Sequence, residues 1–232
     1  MHLLSTAPFP PNITAFTTFA PLSFREGIEE GNNAKQLLEK ELAPNSPIEW
    51  LSQVHGANIL ELPKTSILEP ADAIFTTQEG VVCAVRTADC LPLLFSSLDG
   101  SIIAAVHAGW RGLHAEIIKE TILNLQYSPV QLLVWLGPAI CQEHFEIGAE
   151  VYQQFIDLNP RNKEAFIQKE NGKYLADLYS IARMQLIQNG LLKEHIYGGE
   201  HCTFHDDRFH SHRRDGEVSG RIVSVIMKKN VI

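Results

Sequence analysis

Apolar residues recur along this chain in two periods. From Asn32 to Leu42, NNAKQLLEKEL is built of good helix formers and halts at Pro44, because the residue before a proline avoids helical angles; it predicts a surface helix. GVVCAVRT (Gly80 to Thr87) and SIIAAVHA (Ser101 to Ala108) are β-type runs connected through LPLLFSSLDG, whose Asp99-Gly100 is a hairpin-turn dipeptide. They predict adjacent buried strands. GLHAEIIKETILNL then places Leu113, Ile117, Ile118, Ile122 and Leu125 on one helical stripe, so HAGWRG marks a strand-to-helix junction. QLLVWLGPAI predicts a third strand ended by Gly137-Pro138, and EIGAEVYQQFIDL a helix after it. Asp177 is placed to cap the helix LYSIARMQLIQN, and Gly190 to end it in the left-handed conformation. EHIYGGEHCTF predicts a strand that leads into a loop dense in histidine and arginine. Strands and helices alternate while hairpin-like pairs also occur, which fits α/β architecture with mixed sheets and helices on the outer faces. The 15 glycines and 12 prolines are scattered, with no linker or repeat, so one domain over residues 1–232 is expected.

Composition narrows the class. With 45% hydrophobic and 20% charged residues, the 232-residue chain is globular rather than disordered, collagenous or coiled-coil. Its 19 Lys+Arg against 27 Asp+Glu leave a formal charge of −8, which gives no bulk attraction for nucleic acid or an anionic membrane. In the late loop, Arg208, Arg213, Arg214 and Arg221 face Asp206, Asp207, Asp215 and Glu217, so no basic nucleic-acid patch forms. The four cysteines, Cys83, Cys90, Cys141 and Cys202, contain no CxxC pair and are too sparse for a disulfide framework. The N-terminus lacks a basic n-region and carries Pro8, Pro10 and Pro11 where a signal helix needs an unbroken apolar run. The strongly apolar stretch Leu132 to Ile140 is far shorter than the roughly 20 residues that span a bilayer. A cytoplasmic protein without a membrane segment is expected.

The ten histidines set this composition apart. Three polar residues interrupt apolar segments at strand ends: His55 in SQVHGAN, Cys90 in RTADCLPLLF and His107 in AAVHAGWRG. One buried histidine is ordinarily a hydrogen-bonded core residue. Two imidazoles and a thiolate together form a catalytic zinc-ligand set with a fourth position free for water or substrate. The glycines beside His55 and His107 allow close backbone approach, and Pro92 stiffens the exit from Cys90. Such an ion brings the pKa of water from 15.7 to about 7, which opens hydrolytic deamination. The HxE and PCxxC motifs of the nucleobase deaminases are absent. Asp89 is the nearest carboxylate in sequence and a candidate to orient a ligand histidine or shuttle a proton, although neighbours on a strand point to opposite faces. A metal-free alternative uses Cys90 as nucleophile and His107 as its base, the arrangement of a thiol hydrolase or amidase. It has no need of His55.

SQVHGAN, ADAIFTT, TADCLPLLF, HAGWRG, LGPAICQEHFEIG and the late CT, RRDG and GR elements, in order from Gln53 to Arg221, resemble the bacterial multicopper polyphenol oxidase or laccase-domain proteins. The resemblance implies a cytosolic purine nucleoside phosphorylase and adenosine deaminase family, with zinc held at His55, Cys90 and His107. It implies an α/β/β/α sandwich and a chain found alone or as a small homo-oligomer. Its activities are phosphorolysis of adenosine, inosine, guanosine and methylthioadenosine, and hydrolysis of adenosine to inosine. Copper-dependent phenol oxidation and correction of peptidoglycan precursors also attach to the family. A multicopper site needs many HxH pairs, and the chain has one, His210-Ser211-His212, which disfavours laccase chemistry. His-Cys-His can still take copper, because Cu²⁺ stands above Zn²⁺ in affinity.

Phosphorolysis needs cations aimed at phosphate. Arg111, opening the helix after HAGW, is the first candidate, and Arg213 and Arg214 are the second. The chain has FHSHRR where the family pattern carries aromatics before the double arginine, so His210 and His212 stand in those slots. Arg86 is expected to pair with Glu79 or Asp99, and Cys83 to be a core thiol. Cys141 and Cys202 are candidates to approach the site through GPAIC and HCTF. His2, His114 and His144 show no metal spacing.

Overall fold

Strands apolar on both sides must be covered on both sides, and the chain meets this demand by stacking two sheets between helices. The computed structural model describes residues 2–42, 44–45, 47–63 and 70–230. In chain order the first half holds β1 (His2–Leu4), β2 (Ile13–Thr18), α1 (Glu29–Leu42), β3 (Ile59–Leu62), β4 (Ala73–Thr76), β5 (Val82–Thr87), β6 (Leu91–Ser97) and β7 (Ile103–Ala108). The second half holds α2 (Trp110–His114), α3 (Ile117–Leu125), β8 (Leu132–Leu136), β9 (Glu146–Ile147), α4 (Ala149–Leu158), β10 (Phe166–Gln168), β11 (Tyr174–Ala176), α5 (Leu178–Gln188), β12 (Ile196–Gly198), α6 (His212–Asp215) and β13 (Ile222–Lys228).

A four-stranded antiparallel sheet has the order β1-β2-β13-β5, and a six-stranded mixed sheet the order β12-β8-β6-β7-β4-β3. In the latter, β3 pairs with β4 and β12 with β8 in parallel; the remaining pairs are antiparallel. Alternation along the strands assigns the layers. Cys83, Val85, Leu94, Ile103, Ala105, Trp135 and Ile226 pack between the sheets. Val82, Ala84, Val223, Val225 and Met227 face the other way, onto Ala34, Leu38 and Leu42 of α1. Leu93, Phe95, Ala104, Val106, Val134 and Leu136 face Ile117, Ile118, Ile122 and Leu125 of α3 and Leu178, Ile181 and Ala182 of α5. The result is the expected α/β/β/α sandwich.

Two local expectations change. The connector LPLLFSS is itself β6, paired to β7 from Leu91↔Ala108 to Ser96↔Ile103, and Asp99-Gly100 turns that hairpin. Consequently β5 and β7 lie in different sheets, because β5 pairs with β13 instead. Thr87, Ala88, Asp89 and Cys90 form the corner by which the chain passes from one sheet to the other. The helix after HAGWRG is also broken in two, with Glu116 in the left-handed region at φ 58. The break lets α2 lie against the QVHG loop, where a Cβ at Gly112 would come within 3.1 Å of the Gly56 carbonyl. By then α3 has turned its stripe onto the sheet. Among the described residues, no helix is long and apolar enough to cross a membrane.

The cap read from the sequence forms. The Asp177 carboxylate accepts the Ser180 amide at 3.1 Å and the Ser180 hydroxyl at 2.5 Å, and Gly190 follows α5 at φ 93. Asp177→Ala is expected to lower unfolding free energy by about 1 kcal/mol with an unchanged denaturant m value, measured by urea unfolding. A loss below about 0.3 kcal/mol would show that the cap is idle.

Candidate active site

His107, the last residue but one of β7, lies on the same side of the strand as Ile103 and Ala105, so the pleat aims its ring into the space between the sheets. A bare imidazole buried there needs a partner. It is supplied by Asp72, a buried carboxylate just before β4, which accepts His107 Nδ1–H at 2.7 Å. A carboxylate only accepts, so Nδ1 carries a proton, and Nε2 is the nitrogen left to lend its lone pair to an ion once its own proton is gone. The Asp72 carbonyl also accepts the His107 amide at 2.7 Å.

The same carboxylate builds the QVHG loop. Val54, His55 and Gly56 donate successive amides to it at 3.2, 2.9 and 2.7 Å, with His55 in the left-handed region at φ 61. Consecutive amides around a left-handed residue form a concave anion nest, here filled by the protein's own carboxylate. Gln53 ties the loop to β5, donating its side-chain amide to the Arg86 carbonyl and accepting the Arg86 amide, both at 2.8 Å. One acidic residue therefore fixes two histidines on different elements.

Cys90 completes the group at the corner between the sheets. One donor atom from each of His55, Cys90 and His107 lies within 4.8 Å of the others, and the two imidazole rings meet edge to face at 4.8 Å. A Cβ at Gly109 would stand 2.9 Å from Cys90 Sγ and 3.3 Å from the His55 ring, so glycine there leaves the donors their room. Burial opposes ionisation of Cys90, but the charge and hydrogen bond of His107, together with His55, hold its thiol down at about 6. Burial opposes the charge on His107 as well, and the Cys90 thiolate and Asp72 carry that imidazole up to about 9. Two nitrogen donors and a soft, readily ionised sulfur converge with no side chain between them. This donor set fits a transition-metal ion.

These residues floor an open cleft of about 580 Å³. Its wall holds Arg25, Arg86, Arg111, Arg213 and Arg221 against two carboxylates, Glu26 and Asp89, so a chain of formal charge −8 concentrates positive charge where its donors meet. Phe24, Trp110 and Phe145 add aromatic surface. Arg111 reaches the cleft, its guanidinium 4.3 Å over the Trp110 ring. Arg213 does too, held by the carbonyls of His144 at 2.9 Å and Glu146 at 3.2 Å and lying 5.4 Å from the Phe145 ring.

Arg214 is absent from the described lining. Its guanidinium is consumed by Asp215 and by the carbonyls of Thr203, Phe204 and Phe209, so it stitches the late loop together. Asp89 lines the cleft at φ 84, where the strand is broken, and so escapes the opposite-face rule. Its oxygens accept the Thr203 hydroxyl at 2.7 Å and the Arg213 amide at 2.6 Å, and neither His55 nor His107. The orienting role expected of Asp89 belongs to Asp72. Arg86 pairs with Glu26 and with the Leu51 carbonyl, while Asp99 is engaged by Ser97, Ser101 and Tyr127. Sequence reading did not assign Asp72, Arg25 or Arg221 to the site. The aspartate of ADAIFTT is the signal in the sequence for the first of these.

A match to the family described as multi-copper polyphenol oxidoreductase laccase covers residues 28–229. The chain belongs to that family. A Haemophilus influenzae relative named purine nucleoside phosphorylase is 41% identical, over 94% of this chain and 95% of its own. An Escherichia coli relative, purine nucleoside phosphorylase YfiH, is 44% identical over 84% of this chain and 79% of its own. Among solved structures, a Neisseria meningitidis protein superposes with a TM-score of 0.92 at 33% identity, covering 99% of both chains. YlmD from Geobacillus stearothermophilus gives 0.89 at 26% identity, covering 97% of this chain and 94% of its own.

Cys141 and Cys202 do not join His55, Cys90 and His107. They meet each other, Sγ to Sγ at 2.8 Å, beside His144 and His205. Cys83 lies fully buried between the sheets, as expected of a core thiol.

Removing the Asp72 charge leaves three loop amides and an imidazole with a poorer acceptor. Asp72→Asn is expected to cost about 3 kcal/mol of stability by chemical denaturation and to weaken metal retention by roughly 10–100-fold in chelator competition. A variant within about 0.5 kcal/mol of the parent, with undiminished metal affinity, would contradict this.

Proposed function

We propose that the chain is a zinc-dependent purine nucleoside phosphorylase, with His55, Cys90 and His107 holding the ion and the cleft arginines holding phosphate. The observation that carries the reading is the joining, in one open cleft, of a His-Cys-His donor set with five arginines. The relatives' names support it.

In phosphorolysis an oxygen of inorganic phosphate bonds to the ribose anomeric carbon as that carbon's bond to the purine nitrogen breaks, and the departing base takes up a proton. Phosphate must be held beside a sugar without being neutralised by protonation. Among the described residues the Arg25 guanidinium makes no hydrogen bond, and that of Arg111 only stacks on Trp110, so both keep donors for an anion. Arg221 is half-buried; burial and then the nearby Arg25 lower its pKa, a repulsion that a bound anion relieves. Trp110 and Phe145 offer flat faces to a purine. Asp72 holds the His107 ring in orientation, and the Gln53 bridge holds the His55 loop to β5. The ion, when bound, supplies Lewis acidity at the cleft floor. The same floor suits hydrolysis of adenosine to inosine, in which water adds and ammonia leaves.

A second reading has one observation in its favour. Asp72, His107 and Cys90 align as acid, base and thiol, the order of a metal-free amidase acting on a small amide such as a peptidoglycan precursor. That reading requires muropeptide cleavage that survives chelation, and loss of cleavage on chelation removes it. Phenol oxidation by copper gains no support from the HxH pair, because His210 is spent on the Leu22 carbonyl at 3.1 Å.

Release of hypoxanthine from inosine should depend on phosphate and yield ribose 1-phosphate in equal amount. Cys90→Ala should abolish it, whereas Arg111→Ala should raise the KM for phosphate about tenfold, roughly 1.4 kcal/mol, with a smaller change in kcat. Base release that proceeds equally without phosphate would sink the proposal.

A further inference from the structure

Two short motifs left unused by the cleft have the same form. Cys141-Gln142-Glu143-His144 and Cys202-Thr203-Phe204-His205 are each Cys-x-x-His, far apart in sequence. The fold brings them side by side. A parallel bridge pairs Ala139 with Cys202, the Cys141 amide points at Cys202 Sγ at 3.2 Å, and each motif then turns so that its histidine follows its cysteine.

We propose that these four residues, Cys141, His144, Cys202 and His205, form a second metal site, for zinc, separate from the His55 cleft. Cys141 Sγ stands 3.7 Å from His144 Nδ1 and 3.9 Å from His205 Nδ1, and the two imidazoles meet edge to face at 4.2 Å. Ligands at about 2.3 Å for sulfur and about 2.05 Å for nitrogen, spread tetrahedrally, stand about 3.5 Å apart. The two sulfur-nitrogen edges at Cys141 therefore need to close by only a few tenths of an ångström; Cys202 adjoins this group through Cys141, outside the set of Cys141, Glu143, His144 and His205 whose donor atoms already lie within 4.8 Å of one another. The Sγ to Sγ distance of 2.8 Å is shorter than the about 3.7 Å that two thiolates on one ion take up, so zinc entry spreads the sulfurs by about 1 Å. His205 is half-exposed, which leaves the ion a way in from solvent. Glu143 Oε2, 4.0 Å from His205 Nε2, is placed to hydrogen-bond the ring edge turned away from the ion.

The site has a position that matters. Ile140, next to Cys141, donates its amide to the Asp89 carbonyl at 3.0 Å, and Thr203, next to Cys202, donates its hydroxyl to Asp89. Arg213 and Phe145 of the cleft wall lean on the carbonyls and chain that begin at His144. An ion bridging the two motifs clamps residues 141–144 to 202–205 and stiffens that wall. The closed ligand count, with two thiolates and two imidazoles, is that of a structural zinc site rather than a catalytic one. This inference does not depend on the reaction proposed for the cleft.

The test is zinc stoichiometry by native mass spectrometry and elemental analysis on full-length protein, purified with zinc and kept reduced by a phosphine. His55→Ala/Cys90→Ala should retain one equivalent of zinc, and adding Cys141→Ser and His144→Ala should remove it. In the parent background, His205→Ala alone should lower the content by one equivalent while circular dichroism stays unchanged, which guards against loss through misfolding. Cobalt in the His55→Ala/Cys90→Ala protein should give the visible bands of a four-coordinate ion and a thiolate charge-transfer band. Retention of no zinc by that double variant overturns the proposal. So does a Cys141–Cys202 disulfide that persists under the same reducing conditions.

Discussion

One buried carboxylate holds the centre of this molecule together. Asp72 takes four donors, three amides from the QVHG loop and the Nδ1–H of His107, and its own carbonyl takes the amide of His107. An ionised side chain in that position is tolerable because every donor around it points inward. In return the loop carrying His55 is fixed in a left-handed turn, and the His107 ring is fixed in its tautomer. Without that carboxylate the loop would lose its template and the imidazole its orientation.

The sandwich determines where this happens. Because β5 belongs to one sheet and β6 to the other, the corner between them opens at the rim of the inter-sheet core, and Cys90 sits on that corner. The end of β7 and the start of β4 reach the same rim through their pairing, His107 beside Asp72. Arginines from the segment before α1, from β5, from α2, from α6 and from the approach to β13 then ring the opening. Arginines from four widely separated stretches of the chain thus converge on a cationic mouth over a soft-donor floor, in a molecule that is acidic overall.

Much of this could be read in the sequence where chemistry and period coincide. His55, Cys90 and His107 stand out because polar residues interrupt apolar runs, and the Asp177 cap and Gly190 stop are local signals that local structure obeys. Asp72 did not stand out, because an aspartate before a short strand has many uses and only the fold brings it to His107. Arg214 and Arg213 are adjacent and identical in type, yet one faces the cleft and the other stitches a loop; a doublet carries no information about that choice. The pairing of β5 with β13, across most of the chain, was equally hidden, since alternation gives a strand its faces but not its neighbours. The two Cys-x-x-His motifs are short, and only their bridge at Ala139 makes them one group.

Anomalous diffraction from crystals grown with phosphate and hypoxanthine, recorded on either side of the zinc edge, addresses the account at its centre. It predicts a zinc peak bonded by His55, Cys90 and His107, with phosphate against Arg111, Arg25 or Arg221 and the base in the same cleft. An ordered, metal-free triad in active protein, or phosphate and base bound away from the arginines, would contradict it.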